Sequence, residues 1–214
     1  MLNKGVADTE GKLDQFCIQC HAPVASRNGL TPVYEENGTW KVQFDMSEPT
    51  VGHVVVCVTW HRMESVEATK NAAFTLTERT LFGPGNSGQE AHKIESSTLL
   101  TSSVMCGSCH NVVNPKGALL ENTFSEWYAS EFNDGVGDDK SCQDCHMPQY
   151  TGEIVDGKTR EIHEHTFVGV DLALVADFPE KERQLDLVTK LLKSCGELTI
   201  SPSANTTAPG IRVT

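Results

Sequence analysis

The chain lacks long apolar runs. The longest in its 214 residues are Val54–Val58 and Leu172–Ala176, far short of the ~20 consecutive apolar residues a membrane-crossing helix needs. Positive charge is scarce as well: 17 Lys and Arg stand against 29 Asp and Glu, for a net charge of −12. Such a surface repels phosphate and disfavours nucleic acid and anionic membranes as partners. Residues 1–16 are polar and lack the apolar core of a secretory leader, so they read as the start of a mature, processed chain. Two residue types are plentiful, with eight Cys and eight His.

Six of the cysteines fall into one repeated pattern: Cys17-Ile18-Gln19-Cys20-His21, Cys106-Gly107-Ser108-Cys109-His110 and Cys142-Gln143-Asp144-Cys145-His146. C-x-x-C-H is the attachment pattern of c-type haem. Two thiols add across the two vinyl groups on one edge of the haem, and the His that follows becomes an axial iron ligand. Zinc sites use C-x-x-C pairs without requiring that His. A disulfide framework has no reason to repeat one short spacing three times.

Cys57 opens a fourth, altered copy, Cys57-Val58-Thr59-Trp60-His61, with Trp in the place of the second Cys. Three readings are open: a haem held by one thioether and ligated by His61, an ordinary site with one residue misread, or a Cys in a strand continuing the β-prone Val54-Val55-Val56. The histidine count favours the haem. With His21, His61, His110 and His146 as proximal ligands, His53, His92, His163 and His165 remain as distal ones. Four haems with two axial His each use all eight. Cys195 has no partner motif and reads as a small buried hydrophobe at the end of an apolar helix. Met105 and Met147, beside the motifs, read as packing.

Elsewhere, residues 31–44 read as a hairpin around Glu35-Glu36-Asn37-Gly38. Residues 64–98 read as a long polar connection, Ile94–Met105 as a helix, and Thr123 with Glu126 as a capping box. That box would start a helix with an apolar stripe of Phe124, Trp127, Tyr128 and Phe132. Asp177–Ser194 reads as the strongest helix, stopped by Gly196. Residues 197–214 read as two short strands around a Ser/Asn/Thr/Pro loop. Asn37-Gly38-Thr39 and Asn205-Thr206-Thr207 match the glycosylation pattern.

Met105–His110, Thr123–Trp127, Ser141–Pro148 and His165-Thr166-Phe167 together resemble the multihaem cytochromes c. The resemblance is closest to the small tetrahaem cytochromes that polymerise into extracellular filaments, and more distant to hydroxylamine-oxidoreductase-like and nitrite-reductase-like cytochromes. It implies that His165 and His92 are distal ligands. It matches His61-Arg62-Met63 to the family's second site, from which Trp60 departs. It also implies a mainly α fold with much coil and a few short strands, its core built around the haems. Residues 1–175 would form the multihaem domain and 176–214 a C-terminal helix with a strand-like tail.

Two His ligands leave no open iron position, and four haems share 214 residues (214/4, about 53 each). The expectation is therefore an electron carrier rather than an enzyme, with four haems c, three from C-x-x-C-H and one at Cys57/His61. The resemblance implies an exported protein, extracellular in a head-to-tail polymer of identical subunits. Such a polymer would exchange electrons with redox proteins or an extracellular acceptor. A distal His, His53 being the candidate, would be donated across the junction. The alternatives are a soluble periplasmic shuttle and an oxidoreductase acting on a small nitrogen compound.

Overall fold

The structure is a computed structural model that describes residues 2–52, 55–83 and 93–196. The chain divides into two compact units, Met1–Ser141 and Cys142–Thr214. The mainly α expectation is overturned. The described residues hold nine α-helices and ten strands, and the strands pair into five separate two-stranded sheets. Every α-helix is short except the last, Lys181–Ser194, of 14 residues. Both element types are brief because each apolar run is brief, so no single element carries enough apolar face to organise a layered core.

In the first unit, helix α1 (Leu2–Asp8) leads through turns to α2 (Ile18–His21) and α3 (Pro23–Arg27). The expected hairpin forms as β1 (Val33–Glu36) and β2 (Thr39–Val42). Asn37 and Gly38 both adopt positive φ, 51° and 75°, as the tight two-residue turn requires. Helices α4 (Pro49–Gly52) and α5 (Cys57–His61) follow.

The supposed polar connection contains strands: β3 (Met63–Val66) pairs antiparallel with β4 (Phe74–Leu76), and β5 (Thr80–Gly83) pairs parallel with β6 (Lys93–Ser96). Phe74 is buried and Thr75 exposed, the period-2 signature of a strand that the surrounding polar residues mask. The helix expected over Ile94–Met105 is broken. Ile94 belongs to β6, a 3-10 turn covers Thr98–Thr101, and α6 runs Ser103–Gly107. Ser97 and Ser102 cause the breaks, their hydroxyls accepting from the amides of Leu99 and Val104. Serine competes with helix interiors in this way.

Strands β7 (Val112–Val113) and β8 (Leu119–Glu121) precede α7 (Thr123–Tyr128). Thr123 is the first helical residue rather than the cap, and the N-cap Asn122 makes no side-chain cap bond, so the capping box does not form.

Two apolar clusters organise this unit. One gathers Val6, Ile18, Ala22, Ala25, Val42 and Val51, with Trp40 and Phe44 against it. The other gathers Met63, Ala72, Phe74 and Met105, with Cys20, Trp60 and Cys109 packed on it. Helix α2 serves both, giving Ile18 to the first and Cys20 to the second.

The second unit comprises α8 (Cys142–His146), a hairpin of β9 (Gln149–Val155) and β10 (Lys158–His163), and α9 (Lys181–Ser194). The hairpin turns at Asp156-Gly157, Gly157 having φ +73°. Asp-Gly between strand-prone runs is a hairpin signal. Helix α9 starts later than expected, with Glu180 rather than Asp177 at its N-cap. Cys195 is exposed, not buried, and its thiol donates to the Leu191 carbonyl at 3.2 Å. The expected strands of 197–214 lie outside the described residues.

Candidate functional site

All four Cys-to-His segments wind into one helical turn. In the first, Cys17 has helical φ/ψ and accepts from the His21 amide at 3.2 Å. The second is α5 itself, so Cys57 lies in a helix and not in a strand. In the third, α6 ends at Gly107, and the amides of Cys109 and His110 bond back to Cys106 at 3.1 and 2.9 Å. The fourth is α8. Residues i, i+3 and i+4 of a helical turn share a face. Each turn therefore presents its two cysteine positions and its histidine on one side.

Three of the four histidines have Nδ1 committed. His61 Nδ1 donates to the Phe82 carbonyl at 2.7 Å and His146 Nδ1 to the Val168 carbonyl at 2.5 Å. His110 Nδ1 bonds Glu121 Oε1 at 2.9 Å. A carbonyl can only accept, so the neutral rings of His61 and His146 carry their proton on Nδ1 and their lone pair on Nε2. That is the orientation in which a second ring bond readies imidazole to ligate a metal. The anchors Phe82, Val168 and Glu121 lie outside the Cys-to-His pattern. Two act through backbone carbonyls, which leave no trace in residue type.

Of the histidines read as distal, His53 and His92 lie outside the described residues. His163 closes β10, where Nδ1 donates to the Met147 carbonyl at 2.7 Å and Nε2 meets the Gln149 amide nitrogen at 3.1 Å. His165 lies edge-on to Phe167, with ring centroids 6.2 Å apart. Met105 is buried in the second cluster, as a packing residue should be.

The second-cysteine positions of three segments converge. Cys20, Trp60 and Cys109 all pack on the Met63/Phe74 cluster. The neighbouring Cys109 thiol, together with burial, raises the Cys20 thiol far above its ordinary range. Cys109 falls to about 7, chiefly through the adjoining Cys20, with help from the Ser108 hydroxyl at 3.9 Å and the charges of His110 and Arg27, against burial. Burial pushes the Cys17 thiol up.

One loop holds the first and third segments together. Asn71 accepts from Gln19 Nε2 on its carbonyl at 2.9 Å and gives its amide to the Asn111 carbonyl at 3.1 Å. Its side chain bonds Val113 twice, and Ala72 N donates to the Ser108 carbonyl at 2.7 Å. Among the described residues, no group of three or more His, Cys, Asp or Glu side chains is gathered to hold a bare metal ion. Nor is any helix among them long and apolar enough to cross a membrane. No protein-family model, curated protein or solved structure matches the chain.

Proposed function

We propose that the chain is a c-type cytochrome carrying four haems and passing electrons between them. One observation carries this reading. Four segments of one pattern share one conformation, a single turn presenting Cys, Cys or Trp, and His on one face. The Nδ1–H bonds of His61 and His146 support it, because they leave Nε2 as the donor toward an iron. The thin protein core of the second unit supports it too. Among its described residues only Gln143, Val168 and Val188 are buried, so a prosthetic group would supply the missing apolar mass.

A bound haem supplies one-electron chemistry. The cysteines anchor it, the proximal His positions orient it, and a distal His closes the other iron face to small molecules. The meeting of Cys20, Trp60 and Cys109 on one cluster gives three of the segments a common centre, which favours transfer between the groups those segments would hold. Intact mass spectrometry of the matured protein tests the reading: covalent haem should be present, with a low-spin spectrum. Stoichiometric carbon monoxide binding by the unaltered protein would favour an enzyme instead.

The finer reading is that the protein works outside the cell as a subunit of a head-to-tail polymer. The family resemblance supports it, and so does the apolar side of α9, where Leu185 and Leu192 are 51% and 50% exposed. A heterologous contact that does not close produces a filament. Electron microscopy of the purified protein decides: filaments are expected, and a uniform monomer with every iron six-coordinate would leave a soluble shuttle.

A further inference from the structure

We propose that the second attachment site holds its haem through one thioether, from Cys57, and that packing of Trp60 replaces the second. The inference rests on the haem reading and concerns how this one site achieves it. Cys57 does not stand alone. It shares a face of α5 with Trp60 and His61 at the i, i+3, i+4 spacing of the three regular segments. His61 carries its proton on Nδ1, bonded to the Phe82 carbonyl, as His146 does with Val168 in a regular segment.

Trp60 occupies the second-cysteine position in space as well as in sequence. Its side chain packs on the Met63/Phe74 cluster, as do Cys20 and Cys109, its counterparts in the first and third segments. An indole has no thiol to add to a vinyl group. It does bring a large apolar ring, which fixes this turn to the core where the other two segments present sulfur.

The bond-forming step involves Cys57 alone. Its sulfur bonds the inner carbon of one vinyl group, the S–H bond and the vinyl π bond break, and the thiol hydrogen ends on the outer carbon. Nothing leaves and no oxidant is consumed. The Cys57 thiol is exposed, so it is accessible to that addition. The second vinyl of this haem stays unsaturated and conjugated with the ring, which the other three haems do not allow.

The test is proteolysis of the matured protein, separation of the haem peptides, and a mass and alkaline pyridine spectrum for each. The peptide containing Cys57 should carry one haem, with its reduced α-band at longer wavelength than those of the other three. Trp60→Cys should move that band onto the others, and Cys57→Ala should reduce covalent haem from four to three. A Cys57 peptide without haem, alongside three haem peptides, would overturn this inference and leave the electron-carrier reading standing. A Cys57 peptide whose band coincides with the others would overturn it as well. No haem on any peptide would overturn the carrier reading and this inference together.

Discussion

Cys20 and Cys109, the second cysteines of two different segments, pack on one apolar cluster, and each shifts the other's thiol. In the haem-free chain the two thiols share their protons unequally. Cys20 keeps its own, and Cys109 is lowered to about 7. A depressed thiol is thiolate above its pKa and protonated below it, and the thiolate is the nucleophile. Alkylation of Cys109 in haem-free protein should therefore rise through about pH 7, while Cys17, raised by burial, is still slow. Cys20→Ala removes the main group that lowers Cys109 and should move the Cys109 inflection to higher pH. Mass-spectrometric labelling across a pH series reads both, and equal labelling of Cys17 and Cys109 would contradict the asymmetry.

His163 and Gln149 make a second test. Gln149 faces His163 across the hairpin, and its side-chain nitrogen meets Nε2. If His163 ligates iron, Nε2 exchanges that contact for the metal, and the Gln149 bond is dispensable. His163→Ala should then produce a high-spin signal or carbon monoxide binding, while Gln149→Ala should leave the low-spin spectrum unchanged. A low-spin His163→Ala protein would remove His163 from the ligand set.

Gly107 lies in the third segment against Phe124. A Cβ there would come within 2.4 Å of the Phe124 ring, with its Cγ at 2.6 Å. Since Cγ is anchored close to the backbone of α7, the ring cannot simply swing away. Gly107→Ala should cost about 1–3 kcal/mol, the range for overpacking a filled core, seen as a lowered denaturation midpoint. Gly117→Asn is the control. At that position φ is +84° and nothing lies within 4 Å, so only modest backbone strain is added.

The repeated Cys-to-His pattern and the first hairpin are legible because both are written into residue type. Cys and His at fixed spacing, or Asn-Gly between apolar arms, need no tertiary context. The α-dominated architecture was misjudged because Met63–Val66 and Phe74–Leu76 are too short for periodicity to separate strand from coil. The Ser97 and Ser102 caps likewise dissolve a pattern that looks helical over Ile94–Met105. The carbonyls that orient His61 and His146 come from residues 21 and 22 positions away. Any residue offers a carbonyl, so Phe82 and Val168 could be found only from the fold.

Asn71 provides the last test, because it joins the first and third segments without belonging to either. Asn71 and Ala72 are consecutive residues in the left-handed region, φ 53° and 55°. Asn tolerates that conformation better than most residues, whereas Ala pays a steric cost there. The strained pair is held by bonds to Gln19, Ser108, Asn111 and Val113. Asn71→Ala removes both side-chain bonds to Val113, leaving the Val113 amide without that acceptor, and puts a poorer residue at positive φ. At roughly 1 kcal/mol for each bond, plus about 1 kcal/mol of backbone strain, the variant should lose about 2–3 kcal/mol. Asn71→Gly keeps the turn and loses only the bonds, so it should be the milder of the two. If the loop clamps the segments, as its bonds to Gln19 and Ser108 indicate, the haem peptides containing Cys17 and Cys106 should show lower occupancy in Asn71→Ala. The peptide from Cys142 should not. Peptide-resolved haem occupancy beside a denaturation curve measures both effects, and a uniform fall across all peptides would reduce Asn71 to a general stabiliser.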